Sequence, residues 1–149
     1  CFLQERSMQI SSRFTIAVHM LAYIDIYGHK QKVTSDVLSG SIQVNPVIIR
    51  KLLSALGTAD LIEVSRGSGG ALLSRKAAEI TFYDIYLAVE AIHETGLFRF
   101  HERPNPKCPV GSVIHSTLDG KLLQVQQAME SEMKKITLAD VVAAMNIES

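Results

Sequence analysis

No apolar run in this chain approaches the ~18 residues needed to cross a bilayer. Nor does it open with the basic, apolar and small-residue regions of a signal peptide. Membrane insertion and export are therefore not expected, and the chain reads as cytoplasmic. Cysteine is nearly missing: Cys1 and Cys108 are too few for a disulfide framework or a cysteine-only metal site. A natural chain does not begin with cysteine, and Met8 has the position of a native start, so residues 1–7 read as a non-native tail. That leaves Cys108 effectively alone. An excess of charge of one sign is lacking too, since 15 Lys and Arg balance 15 Asp and Glu. A neutral total argues against nucleic acid, which rewards a basic surface through counterion release.

The neutral average conceals a split. From Met8 to Lys76 there are eight Lys and Arg against four Asp and Glu, and from Ala77 to Ser149 six against ten. Such an asymmetry points to an electrostatic partner for the first half. The length of 149 residues, 47% of them hydrophobic, suits one globular domain, alone or with an oligomerisation arm.

Periodicity predicts a mainly helical chain with one small hairpin. The stretch "SSRFTIAVHMLAYIDIYG" begins with capping serines, repeats apolar residues at Phe14, Ala17, Val18, Leu21 and Ile24, and stops at Gly28. Thr34 offers an N-cap to a second, short helix holding Val37 and Leu38, broken near Gly40 and followed by a connector from Ser41 to Val44. Asn45 and Pro46 form an N-cap and first-turn pair for a third helix running to about Leu56. At 100° per residue, Ile48, Ile49, Leu52, Leu53 and Leu56 share one side of it. Pro46, Val47, Arg50, Lys51 and Ser54 share the other.

Taken alone, that helix is an ordinary amphipathic one with a solvated basic face. The segment after it changes its meaning. "LIEVS" and "ALLS" are short β-prone runs around the turn cluster "RGSGG", which together predict a two-stranded hairpin. Three helices followed by such a hairpin make a winged helix-turn-helix, whose third helix enters a major groove and whose wing lies on phosphates or in the minor groove. The glycines do not suit a nucleotide-binding loop, because "RGSGG" lacks the Lys-Ser/Thr of a P-loop and leads into a strand.

Downstream, Thr81 and Asp84 form a capping box before a helix with the apolar stripe Phe82, Ile85, Val89 and Ile92. After the proline-rich "HERPNPKCPVG", a long segment spaces Ile114, Leu118, Leu122, Val125, Met129 and Ile136 at mostly three- and four-residue intervals, with Gly120 a candidate bend. A long one-sided helix leaves apolar surface uncovered in a monomer, so Ile114, Leu118, Leu122, Val125 and Met129 are the expected homodimer contacts. The bland alternative is a helix folded back onto its own domain. Thr137 and Asp140 cap a short closing helix. The organisation read from this is a winged helix-turn-helix domain over residues 8–80 and a helical dimerisation and sensor region over 81–149.

The segments "SSRFTIAVHML", "NPVIIRKLLSAL", "ADLIEVSRGSGGALLSR", "ITFYDIYLAVE" and "CPVG", in this order, resemble the Rrf-two (Rrf2) family of bacterial transcription regulators, which includes IscR, NsrR and CymR. The resemblance spans nearly all of Met8 to Val142 and is nearest to the YwnA-like branch without a cysteine cluster. It implies a dimeric regulator, read as a repressor, on palindromic double-stranded operator DNA. The family's recognition helix falls on Asn45 to Leu56 and its wing on Arg66 to Gly70. The residues expected at DNA are Asn45, Pro46, Val47, Arg50, Lys51, Ser54, Arg66 and Ser68. Members that bind an iron–sulfur cluster use three cysteines in the downstream loop, where this chain supplies Cys108 alone, so no cofactor is expected.

The same half of the chain bears on other chemistries. His93, Glu94, His101, Glu102, Cys108 and His115 match no strong metal-ligand spacing, and no metal is expected. Cys108, beside Lys107, and His101 are the candidate sensor residues for a thiol signal, against the plainer reading of Cys108 as a small buried hydrophobe. Cys108 paired with His101 or His115 has no orienting third residue, so no enzyme is expected. A small-molecule or protein effector fits the second half. The alternative function is a winged-helix protein-interaction module, or a metal- or thiol-sensing one, that does not read an operator directly.

Overall fold

A computed structural model describes residues 12–65, 70–90 and 105–147 of the chain. Helix α1 (Ser12–Tyr27) buries Phe14, Ala17, Met20, Leu21, Ala22 and Ile24. Met20 and Ala22 widen the expected stripe, while Val18 is only partly covered. The helix closes where its sequence predicts, with the Gly28 N–H donating to Ile24 O at 2.7 Å.

Helix α2 (Ser35–Ile42) is capped by Thr34, whose Oγ1 accepts from the Val37 N–H at 3.3 Å. It does not break at Gly40, and the connector is shorter than expected. The two extra residues carry the half-buried Ile42 onto the core, and Gln43, at φ 63°, adopts the left-handed cap with its N–H on Ser39 O. Packing thus offsets the ~1 kcal/mol that a helical glycine costs.

Helix α3 (Pro46–Thr58) begins as read: Asn45 Oδ1 accepts from the Val47 N–H at 2.8 Å and Pro46 fills the first turn. Ile49, Leu52, Leu53 and Leu56 are buried, but Ile48 is 39% exposed. Ile48 stands one residue, or 100°, behind Ile49, which puts it on the border of the buried face rather than inside it. The helix outlasts Leu56 because Asp60, at φ 64°, supplies a left-handed terminus. The Asp60 N–H donates to Gly57 O and the Leu61 N–H to Leu56 O, each at 3.0 Å, and buried Leu61 and Leu56 complete a Schellman motif.

Strands β1 (Ile62–Val64) and β2 (Ala71–Leu73) pair antiparallel with Ile62 opposite Leu73 and Val64 opposite Ala71. The Ala71 N–H donates to Val33 O at 2.9 Å, which fastens the hairpin to the loop between α1 and α2. Gly70 lies so close to that loop that an added Cβ would collide with Val33 N and stand 2.9 Å from Lys32 Cα. Gly70→Ala is accordingly expected to cost about 1–3 kcal/mol of stability, as overpacking against backbone does; an unchanged thermal midpoint would contradict this contact.

A short 3₁₀ turn, Ala77–Glu79, leads to α4 (Phe82–Glu90). Helix α5 (Ile114–Met133) and α6 (Leu138–Met145) complete the described elements. Thr81 and Asp84 form the expected reciprocal cap, at 3.0 and 3.1 Å. Thr137 and Asp140 do the same for α6, at 2.9 and 3.2 Å. The two helix starts lie side by side, for Thr81 bridges Thr137, the Phe82 N–H donates to Ile136 O and the Leu138 N–H to Ile80 O, both at 2.8 Å. Helix α5 runs unbroken through Gly120, where a Cβ would meet open space. It ends before Ile136, which belongs to the bridge segment instead of the apolar row expected on the long helix.

One buried cluster joins both halves of the chain, from Phe14, Leu21, Leu38, Leu52 and Leu61 to Ile85, Val89, Met133 and Leu138. The Phe14 and Phe82 rings meet edge to face at 5.3 Å within it. Ile92 lies outside the described residues. The arrangement is that of a winged helix-turn-helix: α2 packs on α1, α3 packs on α2 and α4, and the hairpin follows α3.

Candidate nucleic-acid interface

Burial of Ile49, Leu52, Leu53 and Leu56 turns the opposite side of α3 outward. There Asn45, Val47, Arg50, Lys51 and Ser54 are exposed and Pro46 is half-buried. Arg50 and Lys51 form no ion pair or hydrogen bond with another described residue. Both cations are thus available to a ligand without breaking an internal contact. Asn45 is less available, because its carboxamide oxygen is committed to the helix cap and only the amide nitrogen remains to donate.

Between the start of α2, the far half of α3 and the hairpin lies a cleft of about 660 Å³. Arg50 and Ser54 line it together with the hydroxyl residues Thr34, Ser35, Thr58 and Ser65, none of which the sequence placed at a DNA-binding face. Thr58 continues the Arg50, Ser54 row by one more helical step, a signal concealed when the helix is ended at Leu56. Arg66 and Ser68, the expected wing-tip contacts, lie outside the described residues, as do His93, Glu94, His101 and Glu102.

The residues expected to make the dimer divide. Ile114, Leu118 and Leu122 are half-buried and Val125 is 51% exposed, whereas Met129 packs against the core of its own chain. Leu123, 54% exposed and not expected at an interface, adds apolar surface to α5.

Cys108 is exposed, so it is not the buried hydrophobe of the plainer reading. It sits in tight turns, with the Cys108 N–H on Asn105 O at 3.2 Å and the Ser112 N–H on Cys108 O at 2.8 Å. Backbone N–H groups of Gly111 and Val110 stabilise its thiolate and hold the thiol below the usual cysteine range. Elsewhere, burial raises the Asp25 carboxyl above its ordinary value despite the nearby His29. Among the described residues no three His, Cys, Asp or Glu side chains converge as metal ligands.

Residues 10–144 match the Rrf2 family model, described as an iron-dependent transcriptional regulator. YwnA of Bacillus subtilis (strain 168), which carries an HTH-type transcriptional regulator designation, is 39% identical over 132 residues, covering 89% of this chain and 96% of YwnA. A solved structure described as that of a DNA-binding protein superposes with a TM-score of 0.70 at 34% identity, over 87% of this chain and 98% of its own. CymR, the global cysteine regulator of B. subtilis, shares the fold, with a TM-score of 0.65 at 17% identity over 91% of this chain and 97% of its own. The donor set here does not fit a thiolate-held iron cluster: three thiolates are the usual need, and the chain has cysteine only at positions 1 and 108.

Proposed function

The chain belongs to the Rrf2 family of transcriptional regulators, and from that premise we propose that it acts as a homodimeric repressor on palindromic operator DNA. DNA-binding regulation, not enzymatic catalysis, is what its family and relatives carry out. The observation that carries the finer reading is the outward face of α3, where Arg50 and Lys51 stand exposed and unpaired with any described residue, beside Val47 and Ser54. An α-helix fits the major groove, where Arg and Lys donate to guanine O6 and N7 or hold phosphates. Arg66 and Ser68, which fall between β1 and β2 in the sequence, are the residues proposed for the adjacent minor groove.

Residues 8–80 are the DNA-binding part and 81–149 the dimerising and signal-receiving part. Two chains joined through Ile114, Leu118, Leu122 and Val125 would set their α3 helices one DNA turn apart, ~34 Å. No helix among the described residues is long and apolar enough to cross a membrane, and a cytoplasmic place without a bound cofactor accords with this role.

Binding to a random duplex, measured at several salt concentrations, tests the reading. A regulator contacting several phosphates shows a steep negative slope of log affinity against log salt, about −0.9 per phosphate neutralised. A flat slope would instead favour a protein-interaction module. Sedimentation at micromolar concentration is expected to give twice the chain mass, and a monomer would remove the homodimer.

The exposure of Cys108 favours a second role, as a thiol that reports peroxide to the DNA-binding half. Its thiolate attacks one peroxide oxygen, breaking the O–O bond to give a sulfenic acid, and the other oxygen leaves as hydroxide, which takes a proton from solvent to become water. Iodoacetamide labelling mapped by mass spectrometry is expected to track a group titrating below ordinary cysteine. Peroxide-sensitive DNA binding that survives Cys108→Ser would end this role.

A further inference from the structure

The cleft beside α3 collects donors that no other described residue uses. The Arg50 guanidinium and the hydroxyls of Ser35, Ser54, Thr58 and Ser65 line it, and none of these five side chains is hydrogen-bonded or ion-paired to another described residue. No acidic side chain is among its described lining residues. Unused donors gathered around one cation suit a ligand that is anionic and purely accepting at its oxygens.

Size and place narrow the ligand. A volume of about 660 Å³ has room for a phosphodiester with part of its flanking sugars. The cleft separates α3, the element that faces the major groove, from the hairpin that reaches the next minor groove. A strand passing from one to the other must cross it. Phosphate contacts by Arg and by Ser or Thr hydroxyls make up a large share of protein–DNA hydrogen bonds.

We infer that this cleft seats a backbone phosphodiester of bound DNA, held by Arg50 with the hydroxyls of Ser35, Ser54, Thr58 and Ser65. The assignment rests on the reading of the chain as an operator-binding protein. Val47 and Lys51 do not line the cleft, which leaves them for base edges.

Gly57 offers a clean test. It lines the cleft near the end of α3, and a Cβ there meets nothing within 4 Å, so larger residues enter without packing strain. Gly57→Glu places a carboxylate at the phosphate, and Gly57→Gln places its neutral counterpart. Binding of the full chain to a random duplex at fixed salt is expected to be at least about tenfold weaker for the Glu variant than for the Gln variant. The triple variant Ser54→Ala, Thr58→Val, Ser65→Ala is expected to weaken binding about tenfold with an unchanged salt slope, since it removes donors but no charge. If wild type binds DNA while the Glu and Gln variants bind alike and the triple variant matches wild type, the phosphate seat is wrong and the regulator reading survives. If wild type itself shows no salt-dependent binding, the regulator reading fails first.

Inorganic phosphate distinguishes a free anion from the DNA backbone. Titrated at constant ionic strength against chloride, it is expected to leave the amide resonances of Thr58 and Ser65 unmoved at millimolar levels. Saturable shifts there, combined with DNA binding indifferent to Gly57→Glu, would reassign the cleft to a free phosphate ligand and overturn the proposal.

Discussion

Replacing Arg50 and Lys51 together with alanine is expected to reduce duplex affinity roughly 60-fold near 0.1 M salt, per protomer bound, because each cation lost flattens the salt slope by ~0.9. Fluorescence anisotropy of a labelled duplex at several salt concentrations reads both quantities. Neither side chain is paired with a described residue and both are exposed, so unfolding stability should move by no more than about 0.5 kcal/mol. That separation gives the experiment its force: loss of binding with an unchanged melt locates the cations at DNA. Unaltered affinity and slope would remove α3 as the DNA-facing helix. The single variants refine the picture, since a base reader loses specificity at one position while a phosphate holder weakens binding on every sequence.

The largest effect on folding is expected from Leu56→Ala, about 2–5 kcal/mol, the range for emptying a fully buried leucine site. Leu56 is 0% exposed, and its carbonyl accepts the Leu61 N–H that closes α3. The vacancy would thus sit where α3 turns into β1 and weaken the junction between α3 and the hairpin. Since whole domains are stable by only about 5–15 kcal/mol, urea unfolding at one fixed protein concentration should show a large midpoint shift. Leu56→Met, which nearly conserves volume, should cost less than about 1.5 kcal/mol. If the two substitutions behaved alike, cavity formation would not be the cause.

These two sites also mark what could be read from the letters and what could not. Local chemistry was legible wherever one side chain acts on its own backbone neighbourhood: Asn45 with Pro46, Thr34, and the Thr-x-x-Asp pairs at residues 81 and 137 cap helices as read. The outward row of α3 was legible because burying one helical side fixes the other. Helix ends set by tertiary contact were not. Asp60 and Gln43 take left-handed conformations without being glycine, so α3 and α2 run further than turn statistics suggest, and Ile136 falls to a bridge instead of a helix. The hydroxyls of Ser35, Thr58 and Ser65 come from α2, α3 and the residue after β1, and no periodicity within one segment could have gathered them.

The pairing of Thr81 with Thr137 has a further implication for a severed chain. The starts of α4 and α6 are tied by the backbone bonds from Phe82 to Ile136 and from Leu138 to Ile80, with Leu138 and Ile80 both fully buried beneath them. α6 also packs against α1, and Met133 reaches the same interior as Leu52 and Ile85. A polypeptide cut once between α4 and α5 would therefore still present two fragments with matching apolar surfaces and matching hydrogen-bonding edges. Mixed from separate sources, such fragments should reassemble, making this regulator a natural split protein whose two pieces regain DNA binding only in each other's presence.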